Sequence, residues 1–471
     1  MISSSTFQAL MTLTAPHTAH APAVQGNLLF ETGPDRPEWS AMPPGRHRVD
    51  LCVVGGGIAG CNAALEAAQA GLSVLVIEAG RIGQGASGRN GGQVQAGFAA
   101  DMDALEGQQD RQSCTDLFAL TRTAVQQLRD RIAQYDIQCG LRDGILSAAT
   151  KPRHLRDLDG MISEWASYGH DRLERLDQAQ MHRAVDVPRY LGGVRDPEAC
   201  HLNPYAYVLG LARAAEQAGA QLHEQTAMTG FEDQAGGGVL IKTRRKAASA
   251  ADGKGQEGAD IQATYLILAG NAHLWGAGSG APSLIERMIM PVGTYQIATA
   301  PLGLERAKAL IPGGEAVADL QFVLNYYRID PKGRMLWGGG VSYSRMDPPR
   351  LAVTLRKEML RWMPQLADVP VTHAWGGHVA ITINRLPHLG RIGPGVLFVQ
   401  GWSGHGVALS GLGGSLAARA VLATLGREDG SGAAAFDLLG RIKHMPFPGG
   451  RAMRTPILVA AMAWRRLLDL I

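Results

Sequence analysis

The sequence predicts an α/β fold of two domains. One is built on a parallel sheet and assembled from separated segments; the other is α+β and built on an antiparallel sheet. Three observations predict it. A strand, glycine turn, helix and second strand run through residues 50–78. Several short stretches between residues 291 and 345 alternate apolar and polar side chains, the period of strands with one covered face. A last apolar strand at 395–400 runs into a glycine loop and a helix rich in small residues, the same device as the first segment repeated near the end of the chain.

The first segment reads Asp50-Leu-Cys-Val-Val-Gly55-Gly-Gly57-Ile58-Ala59-Gly60, then an Ala-rich helix, then Leu72-Ser-Val-Leu-Val-Ile-Glu78. A buried strand that ends in glycines lets a dinucleotide pyrophosphate approach the backbone, and the helix that follows aims its N-terminal N–H groups at that diphosphate. Glu78, at the tip of the second strand, can accept hydrogen bonds from an adenosine ribose. Strand, glycines, helix, strand and acid are in register, so this half is Rossmann-like. The stretch Ala79 to Gln93, through Gly83, Gly85, Ser87, Gly88, Arg89, Asn90, Gly91 and Gly92, is too rich in glycine for a regular helix or strand and predicts a loop held close to something.

Residues 111–136 predict a long amphipathic helix with Leu117, Leu120, Val125, Leu128 and Ile132 on one stripe, and 152–184 are helical again. Asn203 followed by Pro204 marks an N-cap and first helical position, and Gly219 marks the end of that helix. A short strand follows to Met228. Residues 246–260 are polar and of low complexity, which predicts an exposed hairpin insertion. Residues 263–271 form a buried strand that enters a turn at Ala269 and Gly270, and 351–363 form a helix that stops before Pro364. The expected division is an arm at 1–47, the nucleotide domain at 48–150, 203–285 and 376–445, a helical part and a sheet of the second domain at 151–202 and 286–375, and a C-terminal helix at 446–471. The tail from Pro456 carries Arg465 and Arg466 on a polar side. It packs on its own protein or a second subunit, making a homo-oligomer, or lies on a membrane surface.

A chain of 471 residues buries a large core. Its net charge of +3 argues against nucleic acid as a partner. Cys52, Cys61, Cys114, Cys139 and Cys200 form no C-x-x-C pair, so neither a metal nor a redox dithiol is expected, and their odd, scattered placement suits a reducing cytoplasm. The first Lys or Arg is Arg36, so residues 1–35 lack the charge pattern of a secretory or organelle signal. No apolar run reaches the ~18 residues that span a bilayer.

Three segments, 55–78, 83–93 and 401–406, together resemble the glycine oxidase and D-amino-acid oxidase superfamily of flavoenzymes. Within it, Gly-Ala-Ser-Gly-Arg-Asn-Gly-Gly-Gln at 85–93, Gly401-Trp402-Ser403-Gly404-His405-Gly406 and Phe322-Val-Leu-Asn-Tyr326-Tyr327-Arg328 resemble the gamma-glutamylputrescine oxidase branch. The resemblance implies FAD, held noncovalently, since no cysteine follows Cys200 and Arg89 and Asn90 stand where some relatives carry a linking histidine. It implies that Gly55, Gly57, Ile58, Ala59 and Gly60 hold the pyrophosphate, with Glu78 and Ala79 at the ribose. It places Met228, Ala269 and Gly270 at the adenine, and Ser87 and Arg89 to Gln93 near the flavin. Arg89 is alternatively a surface ion pair. The loop at 401–406, with Val407, would aim N–H donors at the N1–C2=O edge of the flavin and favour its reduced anion. His405 would add a hydrogen bond or charge there, or merely pack the loop.

The reaction implied is hydride removal from the carbon beside an amine nitrogen, giving an imine, then aldehyde and ammonia, with dioxygen reoxidising the flavin to give hydrogen peroxide. The alternative is a dehydrogenase that passes electrons to a quinone or other carrier. The substrate face has candidates in Tyr326, Tyr327, Arg328, Trp375, His378 and Trp402. The aromatics would wall a methylene chain or an ammonium, and Arg328 would pair with a carboxylate. At most one of Tyr326 and Tyr327 faces the cavity, because neighbours on a strand point to opposite faces.

Overall fold

The computed structural model describes residues 24–25, 29, 36–245, 256–274, 283–321, 323–342, 348, 350–449 and 454. Most of the expected arm, the core of the polar insertion, Phe322 and the expected tail helix lie outside these residues.

Strand Gly45–Val54 sits between Val74–Ile77 and Gln256–Leu268 in parallel register, with Gln221–His223 and Val396–Gln400 outside them, also parallel. His388–Arg391 closes one edge antiparallel to Val396–Gln400. Val239–Arg245 pairs with both Gln256–Leu268 and Thr226–Asp233, completing an eight-stranded sheet. Alternate residues of the first strand go to opposite faces. Leu51 and Val53 join helices Ile58–Gln69, Pro204–Gln217 and Gly406–Thr424 in the main core. Cys52 and Val54 join Leu75, Ile77, Met228, Leu266 and Phe398 on the other side. Both Cys52 and Cys61 are fully buried, as core residues.

The second sheet has ten strands, with Met290–Pro301 between Val371–Ile381 and Arg334–Ser342, all antiparallel. Two features differ from the expected division. Arg142–Ala149, assigned by sequence to the first nucleotide segment, pairs in this sheet with Gly192–His201 and, in parallel, with Ala316–Asp319. Val371–Ile381 runs across the expected boundary at 375/376. Apolar periodicity reports that a strand is covered, not which sheet covers it.

Local signals largely place the helices. Asn203 caps Pro204–Gln217 through bonds from the Tyr205 and Ala206 amides. Arg111–Gln134 buries Leu117, Val125 and Leu128, while Leu120 and Ile132 stay half-buried. The stretch 152–184 is broken by strand Glu174–Leu176 into two helices, Pro152–Ser167 and Gln178–Ala184. The glycine-rich stretch after Glu78 contains one helical turn, Ala86–Arg89, and a two-residue strand, Gln93–Val94. Among the described residues one helix, Gly406–Thr424, is long and apolar enough to cross a membrane, but it is 83% buried inside the fold. It is the central core helix of the nucleotide domain.

Candidate functional site

The turn after the first strand has no room for side chains. Gly55 has φ +114°, and a Cβ there would lie 2.9 Å from the Ala269 carbonyl. At Gly60 a Cβ would lie 1.9 Å from the Gly55 oxygen, so helix Ile58–Gln69 is pressed against the turn that starts it. Glu78 fixes this region with both oxygens. One accepts from the Gly56 amide at 2.9 Å and the other from the Gly80 amide at 2.7 Å. Ser87 accepts from the Ile58 amide at 3.0 Å, which ties the second glycine loop to the start of the helix.

Helix Gly406–Thr424 crosses Ile58–Gln69 at close range. A Cβ at Gly414 would lie 2.0 Å from the Ala59 oxygen, and one at Gly411 would lie 3.2 Å from Asn62. Small residues thus bring the N-termini of two helices to one cavity. Their N-cap residues, Gly57 and His405, make no side-chain capping bond. Helix N-termini without caps leave amides and the positive dipole end for an anionic ligand.

The cavity measures about 590 Å³. One end is lined by Glu78, Ala79, Thr226 and Met228, and the middle by Gly55 to Ala59 with Ala269 and Gly270. The other end is lined by His378, Val379, Ala380, Trp402, Ser403, Gly404, Gly406 and Val407. Ser87 and Asn90 also reach it. The C-terminal loop is held in a strained shape, with Gly401, Ser403 and Gly404 at φ +75°, +53° and +96°. The Ser403 amide donates to Ala380, and its hydroxyl accepts from the Thr382 amide. Trp402 lies under the helix against Gly406 and Gly413.

Several expected site residues lie elsewhere. Tyr327 stacks on Trp337 at 4.8 Å and bonds to the Tyr190 hydroxyl at 2.9 Å, inside the core of the second domain. Tyr326, on the opposite strand face, is the one whose ring lies against Gly91 and Gly338. Arg328 is only 2% exposed and donates from Nε to the Gly91 carbonyl, behind the loop; burial brings its pKa down to about 10. It is not among the residues that line the cavity. Arg89 donates to the carbonyls of Gln84 and Gly376, and its own carbonyl accepts from Gln296 and Trp375. It therefore pins the loop to the second sheet instead of forming a surface ion pair. Gly92 packs on the Leu202 carbonyl, and the Gln93 side-chain Nε2 donates to the Val317 carbonyl, so this part of the loop also faces the second sheet. His405 bonds to the Ala96 carbonyl at 3.3 Å, and burial lowers its pKa. It packs the loop on the side away from the cavity lining.

One residue not singled out by the sequence joins the turn at Gly270 to the C-terminal loop. Asn271, at φ +46°, accepts from the Gly401 amide at 2.9 Å and lines the cavity. It directly follows Gly270 in the turn after a buried strand. Asn in a left-handed position there is the signal that marks it.

A groove with a backbone floor, a carboxylate at one end and two uncapped helix N-termini suits FAD, which carries an adenosine ribose, a diphosphate and an electron-rich ring edge. These features define a flavin-dependent oxidoreductase. Residues 50–420 match the family of FAD dependent oxidoreductases, so the chain belongs to that family and FAD is its cofactor. It is 36% identical to the gamma-glutamylputrescine oxidoreductase of Escherichia coli strain K12 over 420 residues, 89% of this chain and 92% of that protein. Among solved structures, its fold resembles the glycine oxidase of Geobacillus kaustophilus, at TM-score 0.62 and 20% identity, over 82% of this chain and 96% of that one. It also resembles the L-proline dehydrogenase of P. horikoshii, at TM-score 0.63 and 20% identity, over 82% and 96% respectively.

Proposed function

We propose that this enzyme oxidises the carbon beside an amine nitrogen in a gamma-glutamylputrescine-like amine, another polyamine or an amino acid, with dioxygen as electron acceptor and hydrogen peroxide as product. The observation that carries this reading is the make-up of the cavity end at the C-terminal loop. It presents Trp402 and His378, and no Lys or Arg is among the described residues that line the cavity. A basic amine entering there meets an aromatic wall and no cation that would repel it. The 36% identity to an enzyme named for gamma-glutamylputrescine supports the same substrate class.

Bound FAD supplies the hydride acceptor. In this proposal Gly55 to Gly60 hold its diphosphate, Glu78 its ribose, and Met228 with Ala269 and Gly270 its adenine. The amides at the start of Gly406–Thr424 would hold the ring edge that gains negative charge on reduction, and a fixed dipole there would favour that charge. Trp402 and His378 orient the amine, while Arg89 holds the glycine loop against the second sheet. In this proposal the attachment is noncovalent: all five cysteines lie at or before Cys200 and are buried, and Arg89 and Asn90 stand in the loop where some relatives carry a linking histidine.

The test is anaerobic mixing of the yellow protein with gamma-glutamylputrescine, putrescine, sarcosine and glycine, followed by air. Loss of flavin colour with at least one of them, and its return in air with peroxide, is the expected result. If none bleaches the flavin, the substrate class is wrong. If the colour is lost but air does not restore it, electrons go to another carrier.

A further inference from the structure

Residues 36–42 of the expected arm run along the edge of the parallel sheet. Ala41 is bridged to Glu224, and the Met42 amide donates to the Thr226 hydroxyl at 3.0 Å. Trp39 fastens the segment to helix Pro204–Gln217 by donating to Glu216 at 3.0 Å. Arg36 reaches further in. Its guanidinium forms an ion pair with Glu224 and donates from Nε to the Tyr205 hydroxyl at 3.1 Å. Glu224 is only 4% exposed, and the oxygen that meets Arg36 also accepts from the Ile82 amide at 2.7 Å.

Both partners of Arg36 lead to the second glycine loop. Ile82 presses on the first glycine turn: a Cβ at Gly56 would lie 2.7 Å from its side chain, and the next amide, of Gly83, donates to the Gly56 carbonyl at 3.0 Å. The Tyr205 ring lies against the loop, where a Cβ at Gly83 would come within 3.3 Å of it and one at Gly88 within 2.5 Å. Gly56 and Gly83 to Ser87 line the groove, whereas Arg36, Glu224 and Tyr205 stand behind it. Burial pushes the Glu224 carboxyl up, against the opposing pull of Arg36 and Arg81. Removing one partner of a buried ion pair leaves a charge that neither water nor protein compensates. We propose that Arg36 is a positioning residue for the cofactor: it keeps Glu224 ionised and Tyr205 in place, and through them fixes the loop at 82–88 against the glycine turn. The proposal rests on the groove being the FAD site.

The test is FAD uptake by the apoprotein, with Kd read from quenching of flavin fluorescence between pH 8 and 6. The proteins are wild type, Arg36→Met, Arg36→Lys and the double variant Arg36→Met/Glu224→Gln. In Arg36→Met the carboxylate has lost its partner, so closing the loop on FAD takes up a proton at Glu224. Its Kd at pH 8 is expected to be about tenfold or more above wild type, and the gap to narrow as pH falls toward 6. In the double variant the amide still accepts from Ile82 and carries no charge. Its Kd should return to within about threefold of wild type, at a ratio that pH does not change. Arg36→Lys keeps the charge and loses the bond to Tyr205, for a Kd raised about two- to tenfold. His223, beside Glu224, is bonded to the Ser40 carbonyl in all four proteins, so the ratio to wild type removes its titration. A wild-type Kd in Arg36→Met, a gap that ignores pH, or a double variant as weak as Arg36→Met would overturn the proposal. Should Arg36→Met not fold, a wild-type Kd in Arg36→Lys, or a double variant more than tenfold weaker than wild type, would overturn it. Glu78→Gln separates this role from the cofactor site itself. A Kd raised there but not in the Arg36 variants removes only the role of Arg36, while no change in any of them places FAD outside the groove.

Discussion

Glu78 does two things at once. Its carboxylate closes the glycine turn by accepting from Gly56 and Gly80, and it lines the cavity end next to Ala79 and Met228. Glu78→Gln would turn an amide toward those two donors. Loss of a charged acceptor costs about 1.5–3 kcal/mol, roughly ten- to a hundredfold in affinity. The apoprotein variant should therefore take up FAD with a Kd raised by about that factor, read by quenching of flavin fluorescence; an unchanged Kd would place the ribose elsewhere. Glu78 was legible because its position follows from strand, turn and helix lengths within one local unit. Tyr327 and Arg328 were not. Which of two neighbouring strand residues faces the groove depends on pairing with Arg334–Ser342, and the sequence carries no local sign of that register.

Two helices rich in small residues set the shape of the site at the scale of elements. Gly414 touches the backbone of Ala59, and this contact aligns the two N-termini. Gly414→Ala would force the helices apart, an overpacking change that typically costs ~1–3 kcal/mol. The expected outcome is a lower melting temperature together with weaker FAD retention on gel filtration. A variant that melts lower but keeps FAD fully would show that helix spacing does not set the cofactor site. The small-residue character of 409–425 was visible in the sequence, but its partner was not. Likewise the bond from the Gly401 amide to Asn271 joins residues 130 positions apart, and no motif spacing encodes such a contact.

Across the whole molecule, neutral histidines, buried at His201 and half-buried at His388 and His444, make stability depend on pH. Burial holds His388 at about 3, with His444 beside it adding to the effect, and holds His444 and His201 at about 4. In the unfolded chain each titrates near the ordinary value of about 6.5. The unfolded state therefore binds more protons below that pH. The contribution is complete above about pH 6.5 and declines as pH falls toward 4, by an order of ~2–3 kcal/mol for each group. Melting temperature should be level from pH 8 to 7 and drop steeply between 6 and 4.5. A flat profile through that range would mean these rings are hydrated. The two-sheet architecture was legible from periodicity, whereas the assignment of Arg142–Ala149 to the second sheet was not. Parallel pairing with Ala316–Asp319 links segments about 170 residues apart, and any covered strand reads alike.

The most direct measurement is the density of FAD in crystals of the loaded enzyme. The account predicts the ribose hydroxyls within hydrogen-bond reach of Glu78, the diphosphate over Gly55 to Gly60, and the ring edge against the amides of Gly404 to Val407, with Trp402 and His378 beside it. A ring bound outside the cavity end formed by His378 to Ala380, or turned away from the start of Gly406–Thr424, would contradict it.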